Sequence, residues 1–197
     1  RRLRTVADQL LQISAGGYYD NLISQLLTAH NSDLMLDYNK WGNPWTFGDS
    51  DKRYYTPTQA NQGLTINKFL TGKRSLIYAQ SELPSAQPAS PSIQISAVEV
   101  TPVSGNQLEE YIELSNPNSY AVDISGWSLS NAVTHVFRAG SVVPANGKFY
   151  VSPNTGAFRR RTTGPRGGQK LFVQGPYKGM LSSRGETLDL YDGNGTL

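Results

Sequence analysis

The sequence contains no cysteine, few charged residues and no long apolar run, and each absence excludes a class of protein. Without cysteine the chain has no disulfide and no thiolate that could act as a nucleophile or bind a metal. No apolar run approaches the roughly 20 residues that a membrane-spanning helix needs. Charged residues make up 17% of the chain and the net charge is +3, which is too small to predict a polyanion partner from the total alone.

The motifs of several common catalytic sites are also missing. The two histidines, His30 and His135, lie in different segments of the chain. There is no Gly-x-Ser-x-Gly elbow, no His-Glu-x-x-His zinc motif and no Gly-x-x-x-x-Gly-Lys phosphate loop. We therefore predict no catalytic residue, no cofactor and no metal ligand in this chain.

Composition and charge divide the sequence into three segments. Three prolines fall within residues 84–91, and no charged residue occurs between Glu82 and Glu99, which predicts an extended Pro/Ser/Ala linker. The 19 glycines, 11 prolines and many Ser, Thr and Asn residues indicate turn-rich β-structure after it. We predict a mixed fold, with a helical region over 1–83 and an all-β region over 92–197.

Apolar residues before the linker recur with the period of an amphipathic helix. One stripe comprises Leu3, Val6, Ala7, Leu10 and Leu11, and a second comprises Tyr19, Leu22, Ile23, Leu26 and Leu27. A third apolar series runs through Ile66, Phe69, Leu70, Leu76 and Ile77 after a capping-box pattern at residues 56–59. The spacing predicts three main helices.

Residues 109–131, EEYIELSNPNSYAVDISGWSLSN, have the period-2 pattern of half-buried strands. Ile112 and Leu114 alternate with polar neighbours and are predicted to face a core. Pro117 ends this strand because proline cannot donate to a ladder, and Trp127 begins another strand as a core residue. Short strands separated by such turns predict an antiparallel sandwich. Its predicted structural residues are Ile112, Leu114, Asp123, Gly126 and Trp127.

Two irregularities are expected in the β-region. The apolar phase shifts from Ile93 and Ile95 to Val98 and Val100, which predicts a β-bulge or a strand covered on both faces. Residues 192–195, Asp-Gly-Asn-Gly, form a strong hairpin signal that only two residues follow. We expect the final strand of the sandwich to be absent from this fragment.

These motifs carry a family resemblance. The chain is similar to the lamin tail domain in a series of ordered motifs. They are the run YIELSNPN, the run VDISGWSLS, Pro144–Gly147 before Phe149–Val151, and residues 185–193 with Gly-Glu-Thr-Leu and Asp-Gly. The resemblance covers roughly residues 92–197 and implies an immunoglobulin-like β-sandwich. A fold alone does not imply a function.

The first segment has a second resemblance. RRLRT at residues 1–5, Asn39–Trp41 and residues 68–78 resemble the C-terminal end of the spore-coat-protein-H (CotH) kinase family. The nucleotide-binding lysine region, the catalytic aspartate and the metal-binding acid of such a kinase have no counterpart here. The resemblance therefore implies that any kinase activity of a parent protein lies in sequence outside this chain.

A cluster of basic residues is the main candidate binding feature. Between Phe158 and Gly185 the chain has seven cationic residues and no acidic one. The candidate polyanion-binding residues are Arg159, Arg160, Arg161, Arg166 and Lys170. A solvated loop is the competing interpretation, and the small net charge favours it.

Three other candidates have plainer explanations. Trp41, Trp45 and Phe47 suggest an aromatic platform for a sugar or peptide, although core packing explains them as well. Glu109 and Glu113 are predicted to share one strand face and Glu110 the other, so the spacing implies no facing carboxylate pair. Asp189, Asp192 and Asn194 resemble a sparse calcium loop, but a tight hairpin needs the same residues.

The leading hypothesis is a non-catalytic interaction or attachment module of a larger bacterial protein that is exported or held at the cell surface. Its expected partner is a protein or a cell-envelope component, with a weak polyanion contact through residues 159–170. One alternative is that residues 1–83 brace a CotH-like kinase whose catalytic residues lie upstream. Another is polyanion binding as the main role.

Overall fold

A computed structural model describes residues 1–11, 18–33, 36, 40 and 72–197, and the structural statements below concern those residues. The chain divides into two compact units, one of Leu3–Ala86 and one of Arg1–Arg2 with Gln87–Leu197. The longer helices come first and the strands follow, which confirms the predicted fold class.

The first unit is built on short amphipathic helices. Helix α1 spans Arg2–Leu10, helix α2 spans Tyr18–Ala29, and residues 72–78 are also helical. Arg4 Nε pairs with Asp8 Oδ1 at 2.8 Å, one helical turn away, and Tyr78 OH donates to the same carboxylate at 2.7 Å. The Arg4 guanidinium lies 4.7 Å from the Tyr78 ring centre. Burial and the bond to Asp8 raise the pKa of the Tyr78 phenol to about 12.

The second unit is a two-sheet sandwich. Its strands are β1 (Gln94–Glu99), β2 (Tyr111–Ser115), β3 (Val122–Asp123), β4 (Ser128–Asn131), β5 (Val133–Val136), β6 (Val142–Val143), β7 (Lys148–Val151), β8 (Phe172–Gln174), β9 (Lys178–Gly179) and β10 (Leu188–Tyr191). One sheet has the order β1-β2-β7-β8 and the other β10-β4-β5-β9, while β3 and β6 pair separately. Among these pairs β7 and β8 run parallel, and the other pairs are antiparallel.

Alternate residues of the strands fill the space between the two sheets. Ile112 and Leu114 of β2 and Leu129 of β4 are fully buried, as the period-2 pattern predicts. Trp127 is 9% exposed and belongs to the same apolar cluster. Its predicted place in the core is confirmed.

The turn after β2 is held by one buried amide. Asn116 is 2% exposed, and its Nδ2 donates to the backbone oxygens of Tyr120 and Pro144 at 2.9 and 2.8 Å. Its Oδ1 accepts from the backbone N–H of Asn118 at 2.9 Å, which closes an Asx turn. Asparagine is needed here because one side chain satisfies donors and acceptors on two chain segments.

The edge strand β1 contains the predicted irregularity. Its register with β2 shifts between Ile95 and Ala97, so Ile95 pairs with Leu114 while Ala97 pairs with Glu113. An extra residue in one strand moves the following side chains to the other face, which explains the change of apolar phase.

Three features differ from the sequence-based expectation. Helix α3, Thr155–Arg159, lies inside the segment 92–197 that was predicted to be all-β. The short strand β9 was not predicted because two residues carry no detectable period. Gln87, placed in the linker by composition, exchanges two hydrogen bonds with the backbone of Asp123 at 2.8 and 3.1 Å and belongs to the sandwich unit.

Candidate functional site

Helix α3 packs against the outer face of the first sheet. The Oδ1 of Asn154 accepts from the backbone N–H of Ala157 at 2.9 Å, which caps the helix. Phe158 is fully buried, with its ring 5.3 Å from that of Tyr150 and 5.9 Å from that of Tyr111. Sequence analysis missed this helix, and the signal available was the capping asparagine ahead of Ala157 and Phe158. The aromatic contact fixes the point at which the basic loop leaves the sandwich.

The basic segment, residues 159–170, is folded back on itself and is called the arginine loop below. The backbone N–H of Gly167 donates to the backbone oxygen of Arg159 at 2.9 Å. A Cβ at Gly167 would lie 2.4 Å from that oxygen, so only glycine allows this approach. The backbone N–H of Arg166 donates to Gln169 Oε1 at 2.8 Å. The loop thus has its own hydrogen bonds that define its shape.

Arg161 does not have the exposure that a ligand contact requires. The residue is 4% exposed, its guanidinium carbon lies 4.9 Å from the centre of the Tyr111 ring, and Nη1 donates to the backbone oxygen of Glu109. Its Nη2 is 3.8 Å from Glu99 Oε2, and its Nε is buried without a hydrogen-bond partner among the described residues. Arg161 therefore anchors the loop to the sandwich, which corrects its predicted role as a polyanion contact.

The other four predicted cations are on the surface of the arginine loop. Arg159, Arg160, Arg166 and Lys170 are all exposed. Within the part of the chain that the structure describes, no acidic side chain forms an ion pair with any of them. Their charge is therefore uncompensated locally, and a negatively charged partner gains from approaching this surface.

Beside α3, the Glu113 carboxylate accepts hydrogen bonds from three side chains. Lys148 Nζ lies 2.7 Å from Oε1, Ser96 Oγ donates to the same oxygen at 2.8 Å, and Tyr150 OH donates to Oε2 at 2.9 Å. Burial alone would raise the pKa of Glu113, but these donors outweigh it and hold the pKa below its usual value. The burial of Tyr150 and its bond to this carboxylate raise the phenol pKa. This network ties β1, β2 and β7 together.

Glu110, the residue just before the same strand, has the opposite electrostatics. It is 3% exposed, and its Oε2 accepts from Tyr177 OH at 2.9 Å. Burial raises its pKa, and the negative Glu99 nearby adds to the shift, against the lowering effect of the bonds from Tyr177 and the backbone of Leu181. The hydrogen bond between Glu110 and Tyr177 joins the segment before β2 to the segment around β9. Glu110 is 3% exposed and Tyr177 is 5% exposed.

His135 also serves the fold. Its Nδ1 lies 3.3 Å from the backbone oxygen of Pro176 and its Nε2 lies 3.3 Å from Gln174 Oε1. Burial lowers its pKa, and Arg138 lowers it further. A 7%-exposed, neutral imidazole in this position holds the turn between β8 and β9.

The remaining structural predictions concern the β3–β4 turn. Asp123 is buried, and its Oδ1 accepts from the backbone N–H of Ser125 at 3.0 Å. Gly126 has φ of 79°, a conformation that glycine adopts without strain. The turn directs Trp127 into the core, so these residues shape the sandwich.

The acidic residues singled out by the sequence form no joint site among those described. Glu109 lies in a 3₁₀ turn, Gln107–Glu109, so the prediction that it shares a strand face with Glu113 is wrong. Asp192 Oδ1 accepts from the backbone N–H groups of Asn194 and Thr196, both at 2.8 Å, and its pKa is lowered by these bonds. No group of metal-ligating side chains occurs within the described ranges.

The aromatic candidates Trp41, Trp45 and Phe47 lie outside the described residues, as do parts of the CotH-like motifs at residues 39, 41 and 68–71. No described helix is long and apolar enough to cross a bilayer.

Comparison with known proteins gave one family. A family model described as the lamin tail domain matches residues 86–197, which is more than half of the chain. No curated protein matches the sequence. The match begins close to the boundary between the two compact units and includes every strand of the sandwich.

Proposed function

Because this chain belongs to the lamin tail domain family, we propose that it is an interaction or attachment module, without catalytic activity, of a larger bacterial protein that is exported or held at the cell surface. The family supplies an immunoglobulin-like scaffold, and such scaffolds carry their binding residues on surface segments. The absence of cysteine and the Gly-, Ser-, Thr- and Asn-rich composition fit a bacterial exported protein.

The observation that carries this proposal is the use of the polar groups inside the sandwich. Glu110, Glu113, Asn116, Asp123 and His135 are all buried, and each is bonded to groups that hold the fold together. A catalytic acid, base or nucleophile needs access to a substrate. Four exposed cations with no ion pair among the described residues lie instead in the arginine loop, where they suit a binding role.

Two measurements test the proposal. The purified chain should give no turnover of ATP, of common esters or of glycosides, and robust activity would contradict it. The chain should also sediment with purified bacterial cell-envelope fragments and remain in the supernatant without them. If the folded chain stays in the supernatant at all salt concentrations, the attachment role is wrong.

A second candidate function rests on the first unit. The predicted apolar stripes are not covered at Leu3, Leu26 and Leu76, which are 64%, 50% and 60% exposed. Helices that expose such residues are typical of elements that pack against another domain. This supports the alternative in which residues 1–83 brace a CotH-like kinase domain.

The bracing hypothesis can be tested in trans. A recombinant CotH-like catalytic domain should bind this chain, and Leu26→Asp with Leu76→Asp should weaken the binding. Val103, which lies in the other unit and is 82% exposed, offers a control for each single variant as Val103→Asp. Equal binding by both variants would contradict the hypothesis.

A further inference from the structure

We propose that the arginine loop binds a flexible polymer of phosphodiester groups, of the poly(polyol phosphate) type, at the bacterial surface. This inference rests on the proposed attachment function and names the chemistry of its partner. Arg159, Arg160, Arg166 and Lys170 are the binding residues, and Arg161 is a positioning residue.

The residue types favour phosphate. Three of the four exposed cations are arginines, whose planar guanidinium donates two parallel hydrogen bonds to one phosphate group. No acidic residue lies between Phe158 and Gly185 to compete for them. A repeating anion can therefore occupy several of these cations at once.

The loop presents its cations in a defined arrangement. The bond between Gly167 and the Arg159 oxygen closes the loop, and Arg166 Nη1 donates to the Thr162 oxygen at 3.3 Å. Beneath the loop, the Arg161 guanidinium is fixed over Tyr111. Because the loop is already ordered in the free protein, less conformational entropy is lost when the polymer binds. The affinity for the polymer is higher for that reason.

The same features disfavour a nucleic acid read through its bases. The segment RRRTTGPRGGQK contains no aromatic residue on which a base could stack. Helix α3 has five residues and buries Phe158 against the sheet, so it cannot enter a groove of a duplex. Four cations in one compact loop are also fewer than the roughly six to ten phosphate contacts typical of duplex DNA binders.

The test measures binding of the full chain to synthetic poly(glycerol phosphate) between about 50 and about 200 mM salt. Each phosphate contact on a single-stranded polymer contributes about −0.7 to the slope of log K against log salt, so four contacts predict a slope of about −3. Affinity should then fall about 50-fold over that range.

Two double variants with equal loss of charge separate a defined site from diffuse attraction. Arg159→Ala with Arg166→Ala should reduce the slope to about −1.5, because two contacts remain. Lys178→Ala with Arg184→Ala removes two exposed cations outside the loop and should leave the slope near −3. All four side chains are exposed, so we expect both variants to keep the wild-type unfolding midpoint, which far-UV circular dichroism during urea unfolding will verify.

An equal reduction of the salt slope in the two double variants would overturn the proposal. It would show that the polymer is attracted to the net charge of the protein and not to a defined site. Tighter binding to duplex DNA than to poly(glycerol phosphate), or binding to heparin alone, would also overturn it. Envelope binding that Arg159→Ala with Arg166→Ala does not weaken would overturn this inference while leaving the attachment role intact. Failure of the wild-type chain to bind any envelope fragment would instead contradict the proposed function.

Discussion

Two glutamates three residues apart, Glu110 and Glu113, illustrate how local partners decide the role of a residue. Both are nearly buried, at 3% and 7% exposure. Glu113 accepts from a lysine, a serine and a tyrosine, and its pKa is lowered. Burial raises the pKa of Glu110, and the hydrogen bonds from one tyrosine and one backbone N–H do not offset that effect. Sequence spacing alone shows neither environment, because the partners come from distant strands.

These opposite shifts predict opposite effects of pH on stability. The ionised form of Glu113 is favoured in the folded state, so its contribution is present above the usual glutamate pKa and is lost as pH falls through the lowered value. The protonated form of Glu110 is favoured in the folded state, so its contribution is present below the usual pKa and is lost as pH rises through the raised value.

Urea unfolding at a series of pH values tests this with two variants. Relative to the wild type, Glu113→Gln should be most destabilising near pH 7 and the difference should shrink under acid conditions. Glu110→Gln should improve relative to the wild type as pH rises above the usual glutamate pKa of about 4.3. Differences that change with pH in the same direction for both variants would contradict the assigned environments.

The core residue Leu129 gives a prediction about packing. It is fully buried between the sheets, so Leu129→Ala should lower the free energy of unfolding by about 2–5 kcal/mol. Val136, on the adjacent strand β5, is 60% exposed, and Val136→Ala should change the free energy of unfolding by about 0.5 kcal/mol or less. Chemical denaturation followed by circular dichroism measures both, and similar losses would argue against the described core.

Among the secondary-structure elements, those with a regular spacing of apolar residues could be predicted, and those without it could not. Strand β2 was predicted because its apolar residues alternate, and the shift of phase in β1 predicted its bulge. Helix α3 was missed because its apolar residues, Ala157 and Phe158, are few and lie in a Gly-, Arg- and Thr-rich segment. The burial of Arg161 was equally hidden, since it depends on Tyr111, 50 residues earlier in the sequence.

The closed shape of the arginine loop predicts the effect of one methyl group. In Gly167→Ala the new Cβ would lie 2.4 Å from the Arg159 oxygen, so the closing hydrogen bond must break. Amides of residues 159–170 should then exchange faster with deuterium, and polymer binding should weaken without any change of charge. Gly193→Ala is a suitable control, because its Cβ would be 3.9 Å from the nearest atom. Unchanged loop exchange in Gly167→Ala would contradict the closed geometry.

For the whole molecule, the sequence motifs were sufficient to predict the second half of the fold. The lamin tail resemblance assigned to residues 92–197 agrees with the family match at 86–197, and the sandwich contains the predicted core around Trp127. Composition and net charge carry less information about function. The structure adds that the buried polar groups serve the scaffold and that four exposed cations lie together on one closed loop.

Hydrogen–deuterium exchange of the full chain, with and without bacterial envelope fragments, tests this account most directly. We predict strong protection of β2, β4 and β7 in both conditions, and added protection on envelope binding that is confined to surface segments of residues 86–197, with residues 159–170 foremost. Rapid exchange in those three strands, or added protection confined to residues 1–83, would contradict a rigid sandwich that binds through its surface.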